Sequence, residues 1–106
     1  MRGSAQGGTG VRAESTSGIA LQVAGRAVFS RSGQVSVPAG KSYVDVAVPG
    51  GLPAGASVLA TLQTYVSGVS VAGVRTNVPS AGIARIFLTK VASTTKSTLI
   101  AWFVLG

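Results

Sequence analysis

The sequence predicts an all-β fold: an antiparallel β-sandwich of about seven short strands with an N-terminal β-arm, one that associates with copies of itself. Three observations carry this. The runs Ser42–Val48, Ser57–Gln63, Gly68–Val74, Ile83–Lys90 and Ser97–Leu105 alternate apolar with polar residues or are apolar throughout, and period-two patterning bounded by turn residues marks strands. No stretch repeats its apolar residues at the spacing of an amphipathic helix. Hydrophobic residues make up 46% of the chain and charged residues only 10%, where soluble domains average about 25% charged.

A chain of 106 residues makes one domain, and a domain of that size still leaves roughly a third of its unfolded-chain surface wet. So few charges leave that surface to Ser, Thr and Gly or to other copies of the chain. The balance favours other copies, hence self-assembly.

Residues 1–17 read as a vector leader plus a Gly-rich arm, and residues 18–106 as the sandwich head. Met1-Arg2-Gly3-Ser4 has the look of an expression-vector leader. Gly10-Val11-Arg12-Ala13-Glu14-Ser15 is echoed eight residues later by Gly18-Ile19-Ala20-Leu21-Gln22-Val23, a Gly-punctuated period of the kind found in stacked β-arrays and fibre shafts. The first segment is therefore expected to be the stub of a repeat shaft.

From Ile19 the chain reads as strands in succession. Ile19–Val23 and Arg26–Ser30 flank Ala24-Gly25, a two-residue connection suited to a hairpin. Gln34–Val37 runs into Val37-Pro38-Ala39-Gly40, with Pro second and Gly fourth as in a type I turn. In Ser42–Val48, Val44, Val46 and Val48 share one face, and Tyr43, Asp45 and Ala47 the other. Pro49–Gly55 and Asn77–Gly82 are loops by their Pro and Gly content. In Ile83–Lys90, Ala84, Ile86 and Leu88 face inward, which leaves Ile83 and Phe87 on a side that water alone covers poorly. Leu99–Leu105 is apolar on both faces and must be covered on both. With no helix to do so, the expected cover is another protomer.

Most chemistry is excluded by what is missing. There is no histidine and no cysteine, and the only carboxylates are Glu14 and Asp45. Serine nucleophiles thus lack an imidazole base, glycoside hydrolysis lacks its carboxylate pair, and no donor set suggests a metal or other cofactor. Adjacent Ser–Lys pairs such as Lys41-Ser42 point to opposite strand faces. Gly40-Lys41-Ser42 mimics the end of a phosphate loop, but Val35 stands where its first glycine belongs and a strand follows. The reading is a non-enzyme.

The longest apolar run, Leu99–Leu105, is far short of the roughly 20 residues of a spanning helix, so no membrane insertion is expected. The net charge of +7 is spread over single Arg and Lys residues, whereas a nucleic-acid module clusters them. General attraction to anionic polymers is expected, and no specific nucleic acid.

Gly18–Val23, Phe29-Ser30-Arg31-Ser32-Gly33, Val58–Gln63 and Ala101-Trp102-Phe103-Val104 carry a resemblance to the C-terminal head domain of actinobacterial Gly-rich-repeat proteins of unassigned function. It covers about five-sixths of the chain. More loosely, the strand order and the final Trp strand are similar to H-type lectin domains and phage tail-fibre knobs. These resemblances imply a trimeric head on a repetitive shaft, extracellular or at a cell surface, but carry no sugar site across.

The expected function is a structural trimerisation and capping head, the alternative a glycan- or cell-surface-polymer-binding head. Candidate interface residues are Ile19, Leu21, Ile83, Phe87, Trp102, Phe103 and Leu105, which would make an obligate, heat-resistant contact. Candidate ligand-binding residues are Tyr65, Arg75 and Asn77, at strand ends and loops where binding residues tend to sit.

Overall fold

The computed structural model describes residues 6–7 and 12–106. Within them the chain is all-β, with six strands: β1 Ser32–Val37, β2 Tyr43–Ala47, β3 Ser57–Leu62, β4 Val71–Thr76, β5 Ile83–Leu88 and β6 Thr98–Leu105. They form two three-stranded antiparallel sheets, β1-β6-β3 and β2-β5-β4. Only β4 and β5 are sequential neighbours in one sheet, and every other connection crosses between sheets.

The central strands are the two most apolar ones. A strand flanked on both sides satisfies its backbone in the sheet and presents both side-chain faces, which suits β5 and β6. Their inner residues Ile86, Leu88, Ile100 and Val104 meet Val37 of β1 and Val46 of β2 in one buried cluster, which Leu52 of the β2–β3 loop closes. The two sheets thus face each other across a shared core. The inward set Val44, Val46, Val48, Ala84, Ile86 and Leu88 lies where alternation placed it.

Several elements differ from expectation. Six strands form among the described residues, not about seven, because Ile19–Val23 and Arg26–Ser30 make no hairpin and no β-arm. Among the described residues, no main-chain hydrogen bond joins residues 19–28 to the rest of the fold. Alternation gives a segment the capacity to pair, and the partner has to be supplied. The leader reading for Met1–Ser4 and the first glycine of the repeat, Gly10, lie outside the described residues.

Strand β4 starts at Val71 rather than Gly68. Gly68 has φ +77° and sits in a turn where Val69 N–H donates to the Val66 carbonyl at 3.1 Å. The first turn closes one residue later than predicted: Lys41 N–H donates to the Pro38 carbonyl at 3.2 Å, with Gly40 third at φ +81°. Positive φ at that position is the type II pattern, which glycine adopts without cost.

Trp102 points inward and is 8% exposed. Gly33 stands opposite it in the β1–β6 ladder, and a Cβ there would lie 3.4 Å from the indole ring. The missing side chain on the edge strand makes the room that the indole fills. The indole N–H finds no acceptor among the described residues, so packing holds Trp102 in place despite about 1–3 kcal/mol of lost hydrogen bonding.

Candidate functional site

The outer face of the β1-β6-β3 sheet is built from residues opposite in phase to the core. Across it run the rows Ser32–Phe103–Leu59 and Gln34–Ala101–Thr61. Phe29, just before β1, stacks on Phe103 with ring centroids 6.4 Å apart and 24° between planes. Together these groups enclose a shallow depression of about 540 Å³, with Phe29, Leu59, Ala101 and Phe103 as its apolar lining and Ser32, Gln34 and Thr61 as its polar part. None of the three strands contains a charged residue.

The opposite outer face, on β2-β5-β4, is of another kind. Asp45, Arg85 and Arg75 form one cross-strand row, and Tyr43, Phe87 and Gly73 the next. Arg85 grips Asp45 with two hydrogen bonds, Nε to Oδ1 at 2.7 Å and Nη2 to Oδ2 at 3.0 Å. Its guanidinium also lies 4.6 Å from the centre of the Tyr43 ring, within cation–π range. These hydrogen bonds hold the Asp45 carboxyl below the usual carboxylate range and raise Arg85 in turn. Both carboxylate oxygens of Asp45 are engaged, which makes it a strand-to-strand tie.

The three candidate ligand-binding residues do not converge. Tyr65 lies in the β3–β4 connection and is 89% exposed. Beside it is a hollow of about 400 Å³ lined by Thr61, Gln63, Thr64, Ser70 and the edges of Val66 and Val69. Arg75 projects from β4 directly across from Arg85. Asn77 lies past the other end of β4 at φ 59°, about 20 Å along from the Tyr65 end by strand rise. Its amide is occupied: Nδ2 donates to the Leu52 carbonyl at 3.1 Å and Oδ1 accepts from Gly82 N–H at 2.9 Å. The side chain therefore closes the β4–β5 hairpin and fastens it to the β2–β3 loop.

The candidate interface residues divide among several places. Ile19 and Leu21 stand out from the irregular segment, 75% and 73% exposed. Ile83 and Phe87 lie half-buried on the outer face of β2-β5-β4, with Phe87 against Tyr43 at 6.2 Å between centroids. Phe103 and Leu105 lie on the outer face of β1-β6-β3. Trp102 does not belong with them, since the Gly33 gap sets it in the core.

Sequence reasoning passed over Leu59 as a surface group. Leu59 was legible in part, because within Val58-Leu59-Ala60-Thr61-Leu62 it shares a phase with Thr61 and so leaves the core. Phe29 read as a core, interface or ligand-stacking aromatic, and its stacking on Phe103 could not be read because the two are distant in the chain. Comparison with known proteins returned no matching family model, no curated relative and no similar solved structure.

Proposed function

We propose that this chain is a non-enzymatic head that binds copies of itself, a homotrimeric structural cap on a Gly-rich fibrous or surface protein. One observation carries the reading. With its core formed, the single chain still leaves Ile19, Leu21, Val23, Val28, Phe29, Leu59 and Leu105 exposed. Phe29 and Leu59 share one depression with Phe103, and apolar patches left exposed mark contact sites.

The arrangement suits a ring. A cyclic trimer joins two different patches head to tail. This chain offers distinct apolar surfaces, the β1-β6-β3 face and the arm that precedes it. The resemblance to trimeric heads on repetitive shafts agrees with that choice.

Size-exclusion chromatography with light scattering tests the reading. The expected mass is three times the 10.5 kDa chain, and a monomer at micromolar concentration ends it.

The hollow beside Tyr65 supports a second reading, a head that binds glycan or another cell-surface polymer. Hydroxyl and amide groups beside an exposed aromatic ring suit a sugar's polar edge and apolar face. A glycan array with hits lost in Tyr65→Ala establishes it, and an array without hits removes it.

A further inference from the structure

We propose that the outer face of the β1-β6-β3 sheet seats a second copy of this chain, and that the part of that copy lying in its depression is the Ile19–Val23 arm. The proposal rests on the self-assembly reading and names the surfaces through which it works.

The first observation is electrostatic. The chain carries +7, so two copies meet most easily where neither presents a cation. The strands Ser32–Val37, Ser57–Leu62 and Thr98–Leu105 contain no charged residue. The other sheet sets Asp45, Arg75 and Arg85 across its outer face.

The edges differ in the same way. Open strand edges are ordinarily guarded by charge, proline or a bulge. On the second sheet β2 carries Asp45 and β4 has a bulge between Val71 and Gly73. Strands β1 and β3 have none of these guards.

The arm matches what the face lacks. Ile19, Leu21 and Val23 recur every second residue and are 75%, 73% and 56% exposed, so in an extended segment they form one apolar row. That row spans about 13 Å, close to the roughly 10 Å between the outer strands of a three-stranded sheet. Among the described residues the backbone of residues 19–28 makes no main-chain hydrogen bond to the rest of the fold, which suits it to pairing with a neighbour.

The exposure of the arm leaves the seat to a neighbour. Phe29, stacked on Phe103, anchors the arm's end at the face, while the residues before it stay exposed rather than folding back. The six steps from Val23 to Phe29 reach at most about 20 Å, enough to pass the arm to a copy seated on that face. Passed head to tail, the arm-to-face contact closes a ring when the rotation allows.

The absence of cysteine makes the test direct. Leu21→Cys and Leu59→Cys are placed in separately tagged chains, co-expressed, purified together and treated with a short bismaleimide. The expected result is an inter-chain product at least about tenfold above that from Leu21→Cys with Ala47→Cys, since held partners react at a high effective concentration. Ala47 lies on the outer side of the other sheet. Equal yields from the two pairs overturn the proposal. Light scattering on the same sample separates the two claims: an assembly without the 21–59 product overturns this interface alone, and a monomer overturns both. Leu59→Lys gives a second route, with assembly lost and Trp102 fluorescence unchanged as the expectation; an unchanged mass overturns the proposal.

Discussion

Replacing Arg31 should loosen the whole lower end of the fold. The side chain, just before β1, donates from Nε to the Pro49 carbonyl at 3.1 Å and from Nη1 and Nη2 to the carbonyls of Gly106 and Gly51. Its own carbonyl accepts from Val104 N–H at 2.9 Å. One planar guanidinium thus ties the β2–β3 loop, the end of β6 and the entry to β1. A hydrogen bond from a charged donor contributes about 1.5–3 kcal/mol when well buried, and the half-exposed setting here reduces that to about 0.7 each, or about 2 kcal/mol in sum for Arg31→Ala. For a domain near 100 residues that corresponds to a fall in Tm of about 8–16 °C. Fluorescence of Trp102, the single tryptophan, reports unfolding at fixed protein concentration, so that assembly does not shift the comparison. Arg31→Lys should recover less than half, because one ammonium cannot address three divergent carbonyls. A fall of less than about 3 °C in Arg31→Ala would refute this account of the tie.

Three further predictions follow from the core, the turn and the ion pair. Ile86→Ala, at a fully buried position, should cost about 2–5 kcal/mol by denaturant unfolding, whereas Ile83→Ala on the outer face should cost far less in the isolated subunit. Gly40→Ala forces φ +81° on a residue with a Cβ and should cost about 1–2 kcal/mol in the same assay. Asp45 titrates lower folded than unfolded because Arg85 hydrogen-bonds its ionised form. The stability it contributes is therefore full above the ordinary carboxylate value of about 3.9 and is lost as pH falls through the depressed folded value. A pH series of Tm in wild type should slope downward there, and in Asp45→Asn the slope should be smaller.

What was legible in the sequence follows from which physical constraint is local. The inward and outward sets of β2 and β5 could be read because alternation is a property of neighbours along the chain. The sheets could not, because their pairings join distant strands: β6 lies between β1 and β3, and β5 between β2 and β4. Leu99–Leu105 was apolar on both sides, so alternation could not say which way Trp102 points, and the deciding residue is Gly33 across the ladder. Arg31 read as one scattered cation among several, since the carbonyls it binds are assembled only by folding. Asn77 read as a free loop amide because the groups that occupy it, Leu52 and Gly82, come together only when the hairpin packs. The hairpin expected over Ile19–Ser30 does not form, because alternation is read from neighbours along the chain whereas a strand also needs a paired edge.

The central claim, that copies of this chain complete one another, is tested most directly by native mass spectrometry of an equal mixture of light and isotopically heavy chains assembled together. A trimer gives four evenly spaced mass peaks, with the mixed species dominant. Two peaks at the mass of single light and heavy chains would contradict the claim.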